Sequence, residues 1–420
     1  MADALAARAA AVALLLEVTE GRRMLSDALT GEALAGLEPA DRARAQRLAL
    51  AALRRAGPAD AALAPHLRKA PPAVVRAILR LAVAELAERP DEAHGIVSSA
   101  VSLARNDTRA AQAAGFVNAV LRKVTAAPLV LEVQRLPGWL RAPLMQRFGK
   151  AAVKGIEAAH LAGAALDLTV KRVEDAALWA ERLGAALLPG GGLRLAAGVQ
   201  VSALPGYEEG AWWVQDAAAA IPAQVLAVQP GERVADLCAA PGGKTLQLAA
   251  AGASVVAVDV SEPRMARVRE NLARCGLDAD CVVADALAWE PDEAFDAILL
   301  DAPCSATGTI RRHPDLPFVK GPEDVPGLVA LQAALIDKAV GLLKPGGRLV
   351  YCTCSLLPAE GEDQFAAALA RHPGLSRDQK AVAGWPGAWD ARGGGLRIRP
   401  DHWADQGGID GFFIGAFRKG

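Results

Sequence analysis

The sequence predicts a multidomain chain: an all-α domain over residues 1–125, a small α+β connector over 126–225, and an α/β doubly wound domain over 226–420. Three observations predict it. The first third is a series of helix-forming runs with no strand signal. The last half alternates short β-branched runs with helical segments, the rhythm of a parallel sheet covered by helices. The length of 420 residues, at roughly 150 per domain, leaves room for two or three domains.

In the amino-terminal part, Ala6–Glu20 is an unbroken helix-former run with Leu14, Leu15 and Val18 at helical spacing. Asp41–Arg55 repeats the pattern after Pro39, a helix-start signal. Pro71-Pro72 opens a run carrying Val74, Val75, Ile78, Leu79 and Leu81, which stops before Pro90; Ala93–Ala104 and Ala114–Val124 follow. The connector is rich in breakers: Pro128, Pro137, Pro143, the turn Pro189-Gly190-Gly191-Gly192, and Pro205-Gly206. Leu166–Val170 and Leu193–Leu195 read as short strands there. Beyond it, strands are expected at Val234–Leu237, Ser254–Val258, Cys281–Val283, Phe295–Leu300 and Arg348–Thr353. Helices are expected at Thr245–Ala251, Pro263–Arg274 and Leu328–Leu343.

Composition narrows the class. Apolar types make up 52% and charged types 22%, enough for packed cores and against wholesale disorder. Net charge is −1 but unevenly spread: residues 1–125 hold 17 Lys+Arg against 13 Asp+Glu, and residues 226–420 hold 20 against 25. The first third can face an anion; the acidic half is not a general nucleic-acid magnet. All six cysteines, Cys238, Cys275, Cys281, Cys304, Cys352 and Cys354, fall in the last half, which argues against a secreted disulfide framework. No pair of CxxC units accompanies the six histidines, so no metal site is expected. No run of 18 uncharged apolar residues occurs, and the start carries Asp3 and Arg8, unlike a secretory signal. A cytoplasmic, monomeric protein with no membrane partner is expected.

The chemistry should lie beyond the carboxyl ends of the strands. The first ends in Asp236-Leu237-Cys238-Ala239-Ala240-Pro241-Gly242-Gly243-Lys244-Thr245. A glycine pair after a strand lets backbone N–H groups approach a ligand. A triphosphate P-loop needs glycine where Cys238 stands, and the GxGxxG fingerprint also fails. Asp259, 23 residues after Asp236 at the end of the second strand, can accept two ribose hydroxyls, and Asp285 after the third suits an adenine amine. Adenosine without phosphate, held by acids, points to S-adenosylmethionine, whose sulfonium is cationic. The competing reading is that these acids cap the following helices.

Two cysteines stand where strands become loops at this edge: Cys304 in Asp301-Ala302-Pro303-Cys304-Ser305, and Cys354 in Tyr351-Cys352-Thr353-Cys354-Ser355. Cys275, Cys281 and Cys352 read as inert small hydrophobes. A thiol at a methyl-transfer site suits methylation of a pyrimidine at carbon 5. Thiolate addition to carbon 6 makes carbon 5 enamine-like, and loss of the carbon-5 proton then expels the thiolate. Asp301 can hold N3 and the exocyclic amine; Lys244 can orient the base or lower a thiol pKa. An exocyclic-amine target would instead call for an Asn-Pro-Pro-aromatic loop where Asp301-Ala302-Pro303-Cys304 stands.

The segments Asp236–Thr245, Leu300–Gly308 and Thr353-Cys354-Ser355 closely resemble the Sun-type RNA cytosine-carbon-5 methyltransferases. Ile310-Arg311-Arg312-His313-Pro314-Asp315, Trp213-Val214-Gln215-Asp216 and Asp410-Gly411-Phe412-Phe413 narrow the resemblance to the bacterial 16S ribosomal RNA branch, the RsmB/Sun type. Residues 1–125 are similar to a NusB-type RNA-binding domain, with Gly115–Arg122 matching its final helix. The resemblance implies a Rossmann-like class I methyltransferase domain and a 16S ribosomal RNA substrate. It implies Cys354 as nucleophile, with Cys304 resolving the product. Analogy with DNA cytosine methyltransferases would favour Cys304 instead. It also implies a cofactor site formed by Cys238, Ala239, Ala240, Pro241, Gly242, Gly243 and Lys244 with Asp259, Asp285 and Asp301. The helical domain, with Lys171, Arg172, Arg311 and Arg312, is expected to hold the RNA backbone, and His313 to stack or meet a phosphate. The family's Arg-x-Asn pairing is missing from Ala165–Arg172. The same chemistry on another RNA such as transfer RNA, or a non-catalytic RNA-binding or antitermination factor, are the alternatives.

Overall fold

A computed structural model describes residues 2–386, 389–391 and 393–420. Contacts divide the chain into two compact units. The first gathers the chain up to Ala142 with Val153–Ala162 and Ile310–Gly321; the second gathers Pro143–Ala152, Gly163–Thr309 and Pro322–Gly420. The segment expected as a connector is thereby divided. Its residues 126–142 and 153–162 fold with the helices, and the remainder folds with the α/β part. The helix Gly138–Ala162, in which this exchange occurs, is broken at Gly149, whose φ is +83°.

The first unit is built on helices Ala2–Thr19, Pro39–Leu53, Ala56–Leu63, Ala73–Glu88, Ala93–Asn106 and Ala114–Val124. The helix Ala56–Leu63 was not foreseen, because Gly57-Pro58 reads as a break; Pro58 lies in its first turn, where a missing N–H costs nothing. Its core combines Leu14, Leu53, Ile78, Leu79 and Leu121 with many buried alanines. Small side chains let helix axes approach closely, so an alanine-rich sequence still packs densely. Arg8 is buried here and makes two hydrogen bonds of 2.8 Å to Glu85.

The second unit contains two sheets. The smaller is antiparallel, in the order β2-β3-β1-β4, from β1 Leu166–Val170, β2 Ala186–Leu187, β3 Leu193–Leu195 and β4 Trp212–Val214. Both strands expected in this region form. On β3, Arg194 is 7% exposed and grips the buried Asp167 of β1 through two contacts of 2.7 Å. Arg194 also donates to the carbonyls of Gln406 and Gly408, and Asp167 accepts the Ala217 N–H. One buried ion pair thus joins the small sheet to the next helix and to the carboxyl-terminal loop.

The larger sheet comprises β5 Arg233–Leu237, β6 Ser254–Asp259, β7 Asp280–Val283, β8 Phe295–Asp301, β9 Leu343–Thr353, β10 Leu375–Arg377, β11 Leu396–Ile398 and β12 Phe412–Lys419. Its order is β10-β12-β9-β8-β5-β6-β7, with β11 beside β12. The five strands expected from sequence, β5 to β9, are parallel. The added β12 is antiparallel to β9, so the sheet is mixed rather than purely parallel. Side chains alternate between two covered faces. Ala235, Leu237, Ile298, Leu300 and Tyr351 meet one apolar cluster with Leu335 and Phe365; Val234, Ala297, Leu299 and Val350 meet another with Ile221 and Val225. The helix Val325–Leu342 belongs to an apolar stretch long enough to cross a membrane, yet its Leu335, Ile336, Ala339 and Val340 are buried in the cluster beneath this sheet.

Strand order reverses at β5. The chain moves outward from β5 through β6 to β7, then returns to the other side of β5 with β8 and β9. The crevice beyond the carboxyl ends of β5 and β8 is therefore the topological switch point, where open α/β sheets bind ligands.

Arg194→Met should destabilise the second unit by about 3–5 kcal/mol, because it leaves the Asp167 carboxylate buried without its cation. Urea unfolding of the purified variant checks this; a loss below about 1 kcal/mol, the scale of a surface pair, would show that the pair is solvated.

Candidate active site

The turn after β5 is shaped by its backbone. Cys238 has φ of +62° and Gly242 of +100°. A Cβ at Gly242 would lie a tight 3.1 Å from the Val268 side chain, and the positive φ itself favours glycine. The Ala239 N–H donates to the Val258 carbonyl at 3.0 Å, and the Ala240 N–H to Asp259 Oδ2 at 3.1 Å. The other Asp259 oxygen accepts the Ser261 N–H at 3.0 Å. Asp259 is 3% exposed and ties two strand-end loops together. Asp285 is exposed beyond β7 and accepts the Leu287 N–H at 3.0 Å, a capping contact within its own turn.

Asp236 lies beneath this loop, fully buried. Its Oδ2 accepts from Thr245 Oγ1 at 2.6 Å, while Oδ1 has no partner. Burial pushes its pKa up to about 7, against the Thr245 hydrogen bond and the Lys244 charge.

The two strand-end cysteines meet. Parallel pairing sets Asp301 opposite Cys352, and the Ala302 N–H donates to the Cys352 carbonyl at 3.0 Å. The loops that follow bring Cys304 Sγ to 3.4 Å from Cys354 Sγ. Their shared hydrogen bond, and then burial, hold the Cys304 thiol well above its ordinary pKa. Lys244 Nζ lies 2.8 Å from Asp301 Oδ2 and 5.5 Å from the centroid of the Phe412 ring. Burial opposes the lysine charge, but Asp301 outweighs it and the pKa is raised. Cys352, expected to be an inert core residue, is fully buried, but its thiol donates to Asp301 Oδ1 at 3.4 Å. Asp301 is thus held from both sides.

A second layer was not foreseen. Glu360 is fully buried and accepts the Ser305 N–H at 2.9 Å, the Ser305 hydroxyl at 2.5 Å, the Ser355 hydroxyl at 2.6 Å and Gln332 Nε2 at 3.0 Å. Ser305 and Ser355 each follow one cysteine. The repeated Cys-Ser pair at two strand ends was the available signal. Nearby, the Gly308 N–H donates to the Cys354 carbonyl at 2.8 Å, and a Cβ at Gly308 would lie 2.0 Å from the Gly411 carbonyl oxygen. Arg397, buried, donates to the Ser355 carbonyl and pairs with Glu362.

The expected RNA-contact residues are divided between the two units. Arg311, Arg312 and His313 lie in Ile310–Gly321, which folds with the helical unit. Arg311 is 0% exposed, so the expectation that it contacts a phosphate is corrected: its guanidinium is inside the protein. Arg312 is half-buried and His313 exposed. Lys171 donates to the Cys275 carbonyl at 2.5 Å, and the exposed Arg172 pairs with Asp175 at 2.7 Å. Among the described residues no cluster of His, Cys, Asp and Glu fits a metal ion. A cleft of about 490 Å³ lies away from the cysteines, between β1, the turn 188–192 and the helix Ala217–Leu226.

Two paired thiols, a lysine–aspartate pair and a glycine loop at a switch point can perform nucleophilic catalysis on a ligand held beside a nucleotide-like group. Comparison with known proteins gives the family. Residues 223–418 match the family model for 16S rRNA methyltransferase RsmB/F, and residues 5–126 match that of the NusB family. The chain is 37% identical to the ribosomal RNA small subunit methyltransferase B of Pseudomonas syringae pv. tomato, covering 98% of this chain and 96% of that one. It is 38% identical to the protein of the same name from Xanthomonas campestris pv. campestris, over 88% and 89% of the two chains. The solved structure of PH0851 shares the fold, with a TM-score of 0.77 at 24% identity over 99% of this chain and 98% of that one.

Asp236 gives a pH prediction with a definite sign. Its folded pKa of about 7 lies above the ordinary value of 3.8, so folding favours the protonated carboxyl. Its stabilising contribution is full below pH 4 and is lost as pH rises to about 7. Relative to Asp236→Asn, the wild type should lose up to about 4 kcal/mol across that window. Urea unfolding of both proteins at a series of pH values is the measurement, and parallel profiles would mean that Asp236 ionises as in water.

Proposed function

The chain belongs to the RsmB/F family of 16S rRNA methyltransferases, and from that premise we propose that it methylates carbon 5 of a cytosine in 16S ribosomal RNA through a covalent Cys354–carbon 6 adduct. The observation that carries the reading is the pair of sulfurs 3.4 Å apart at adjacent strand ends, beside the Lys244–Asp301 pair. Two thiols this close can serve one pyrimidine edge, one as nucleophile and one as proton carrier.

The loop Cys238, Ala239, Ala240, Pro241, Gly242 and Gly243, with Asp259 and Asp285, fits S-adenosylmethionine. Short side chains leave the backbone open to a ligand, the acids suit ribose hydroxyls and a cation, and Asp236 Oδ1 is a buried acceptor without a partner. When bound, the cofactor supplies the methyl group. The protein's part is nucleophile, orientation and proton handling. The Cys354 sulfur bonds to carbon 6 and moves the ring's electron density toward carbon 5. Asp301, fixed by Lys244 and Cys352, accepts from the exocyclic amine, and the Lys244 ammonium offsets the negative charge that builds on the ring as the sulfur adds. After methyl transfer a general base takes the carbon-5 proton, the electrons of that C–H bond re-form the carbon 5–carbon 6 double bond, and the sulfur–carbon 6 bond breaks with its electrons returning to Cys354. The raised pKa of Cys304 supports assigning it the proton: as a neutral thiol it can donate to the departing Cys354 sulfur.

The target base must be unpaired or flipped to reach such a crevice. Arg172, Arg312 and His313 reach the surface and suit backbone contacts, which position RNA without reading its sequence. All six cysteines are free thiols, which supports a reducing, cytoplasmic setting.

Cys304→Ala and Cys354→Ala proteins, each incubated with unmodified 16S ribosomal RNA and S-adenosylmethionine, are compared on a denaturing gel. A protein–RNA band is expected with Cys304→Ala and none with Cys354→Ala. The reverse pattern would exchange the roles of the two cysteines. No band from either, with an active wild type, would sink the covalent reading.

A further inference from the structure

Glu360 has no part in the chemistry above, and its burial needs a cause. A carboxylate moved from water into a protein interior costs several kcal/mol unless it is paired or fully hydrogen-bonded. Its partners, the Ser305 N–H and hydroxyl, the Ser355 hydroxyl and the Gln332 amide, are all neutral. Among the described residues no salt bridge explains the charge. Its partners lie on three elements: the loop after β8, the loop after β9 and the helix Val325–Leu342. Gln332 in turn donates to the Pro303 carbonyl at 2.8 Å, one residue before Cys304. Glu360 is itself pinned, its main-chain carbonyl accepting from the Tyr351 hydroxyl at 2.7 Å and the Thr353 hydroxyl at 3.0 Å.

The sheet does not need this clamp. The β8–β9 ladder already holds Asp301 against Cys352, and the backbone bond from Ala302 extends it. Glu360 acts one step farther out, on the residue after each cysteine. We propose that Glu360 is a positioning residue that locks the Cys304 loop to the Cys354 loop and so sets the spacing of the two sulfurs. That the reaction uses this spacing rests on the covalent reading above.

The clamp can be read without RNA. Phenylarsine oxide condenses with two close thiols: two As–S bonds form, the As=O bond breaks, and the two thiol protons leave with the oxygen as water. Wild-type protein should take up one arsenical and lose alkylation at both Cys304 and Cys354. In Glu360→Ala, arsenical affinity should fall by about ten-fold or more, with each thiol still open to single alkylation. Glu360→Gln keeps the shape and two acceptor contacts, so it should lie between and partly rescue. In methyl transfer, kcat of Glu360→Ala should fall about 10²-fold, the usual effect of roughly 1 Å of misplacement. KM for RNA and the affinity for S-adenosylmethionine should stay within about two-fold, a split that general unfolding would not give. If Glu360→Ala does not fold, Glu360→Gln decides by the same measures. Wild-type arsenical affinity and near wild-type kcat in a folded variant would overturn the proposal. If neither Cys304→Ala nor Cys354→Ala forms an RNA adduct while the wild type is active, the covalent reading fails, and with it the use of the spacing, while the arsenical comparison still decides the clamp.

Discussion

The parallel pairing of β8 with β9 is the constraint on which the site depends. Side chains of a strand alternate, so a one-residue slip would turn Asp301 or the cysteines to the wrong face. With Asp301 opposite Cys352, both chains leave the sheet at the same height and their next loops carry Cys304 and Cys354 to one point. The ladder also lets the Cys352 thiol reach Asp301, so a core residue orients a polar one. Long-range pairing of this kind forms slowly and is expensive in chain entropy, but once formed it is rigid. Rigidity is what the proposed action of two sulfurs on one ring requires.

Buried charge is handled differently at the functional edge and elsewhere. Asp167 and Glu85 have direct arginine partners, which fix the small sheet and the helical unit. Asp301 has Lys244. Asp236 has only a hydroxyl on one oxygen and nothing on the other, and Glu360 has neutral donors alone. Both of these lie next to strand-end loops, which suits the ligand and positioning roles proposed for that edge.

Much of this was legible in the sequence. The five parallel strands and the glycine loop follow from short apolar runs and their breakers, and Cys304 and Cys354 stand out as the cysteines placed at strand ends. What escaped depends on contacts between distant residues. β12 lies 59 residues beyond β9, and no local pattern says that Phe412–Lys419 returns to pair with it. Glu360 looks like a helix-start acid until Ser305, 55 residues earlier, is placed beside it. Arg311 reads as a phosphate ligand because a double arginine in a loop is usually solvated; here its side chain is buried, while Arg312 and His313 beside it reach the surface.

That last point explains why the helical unit is more than its first 125 residues. Within it, Asp315 Oδ2 accepts the Leu25 N–H at 2.8 Å, Arg54 donates to the Arg311 carbonyl at 2.9 Å, and Arg22 donates to the Val319 carbonyl at 3.1 Å. Phe318 and Val319 pack on the alanine-rich core. His160, from another distant segment of this unit, is kept neutral, its pKa lowered to about 3 by burial and by Arg311 and Arg54. A neutral imidazole is the form that tolerates two guanidinium neighbours in a buried site. A domain cut at residue 125 would lose these partners and expose the face they cover. The residues 310–321 therefore complete the helical core, far in sequence from the helices they pack on.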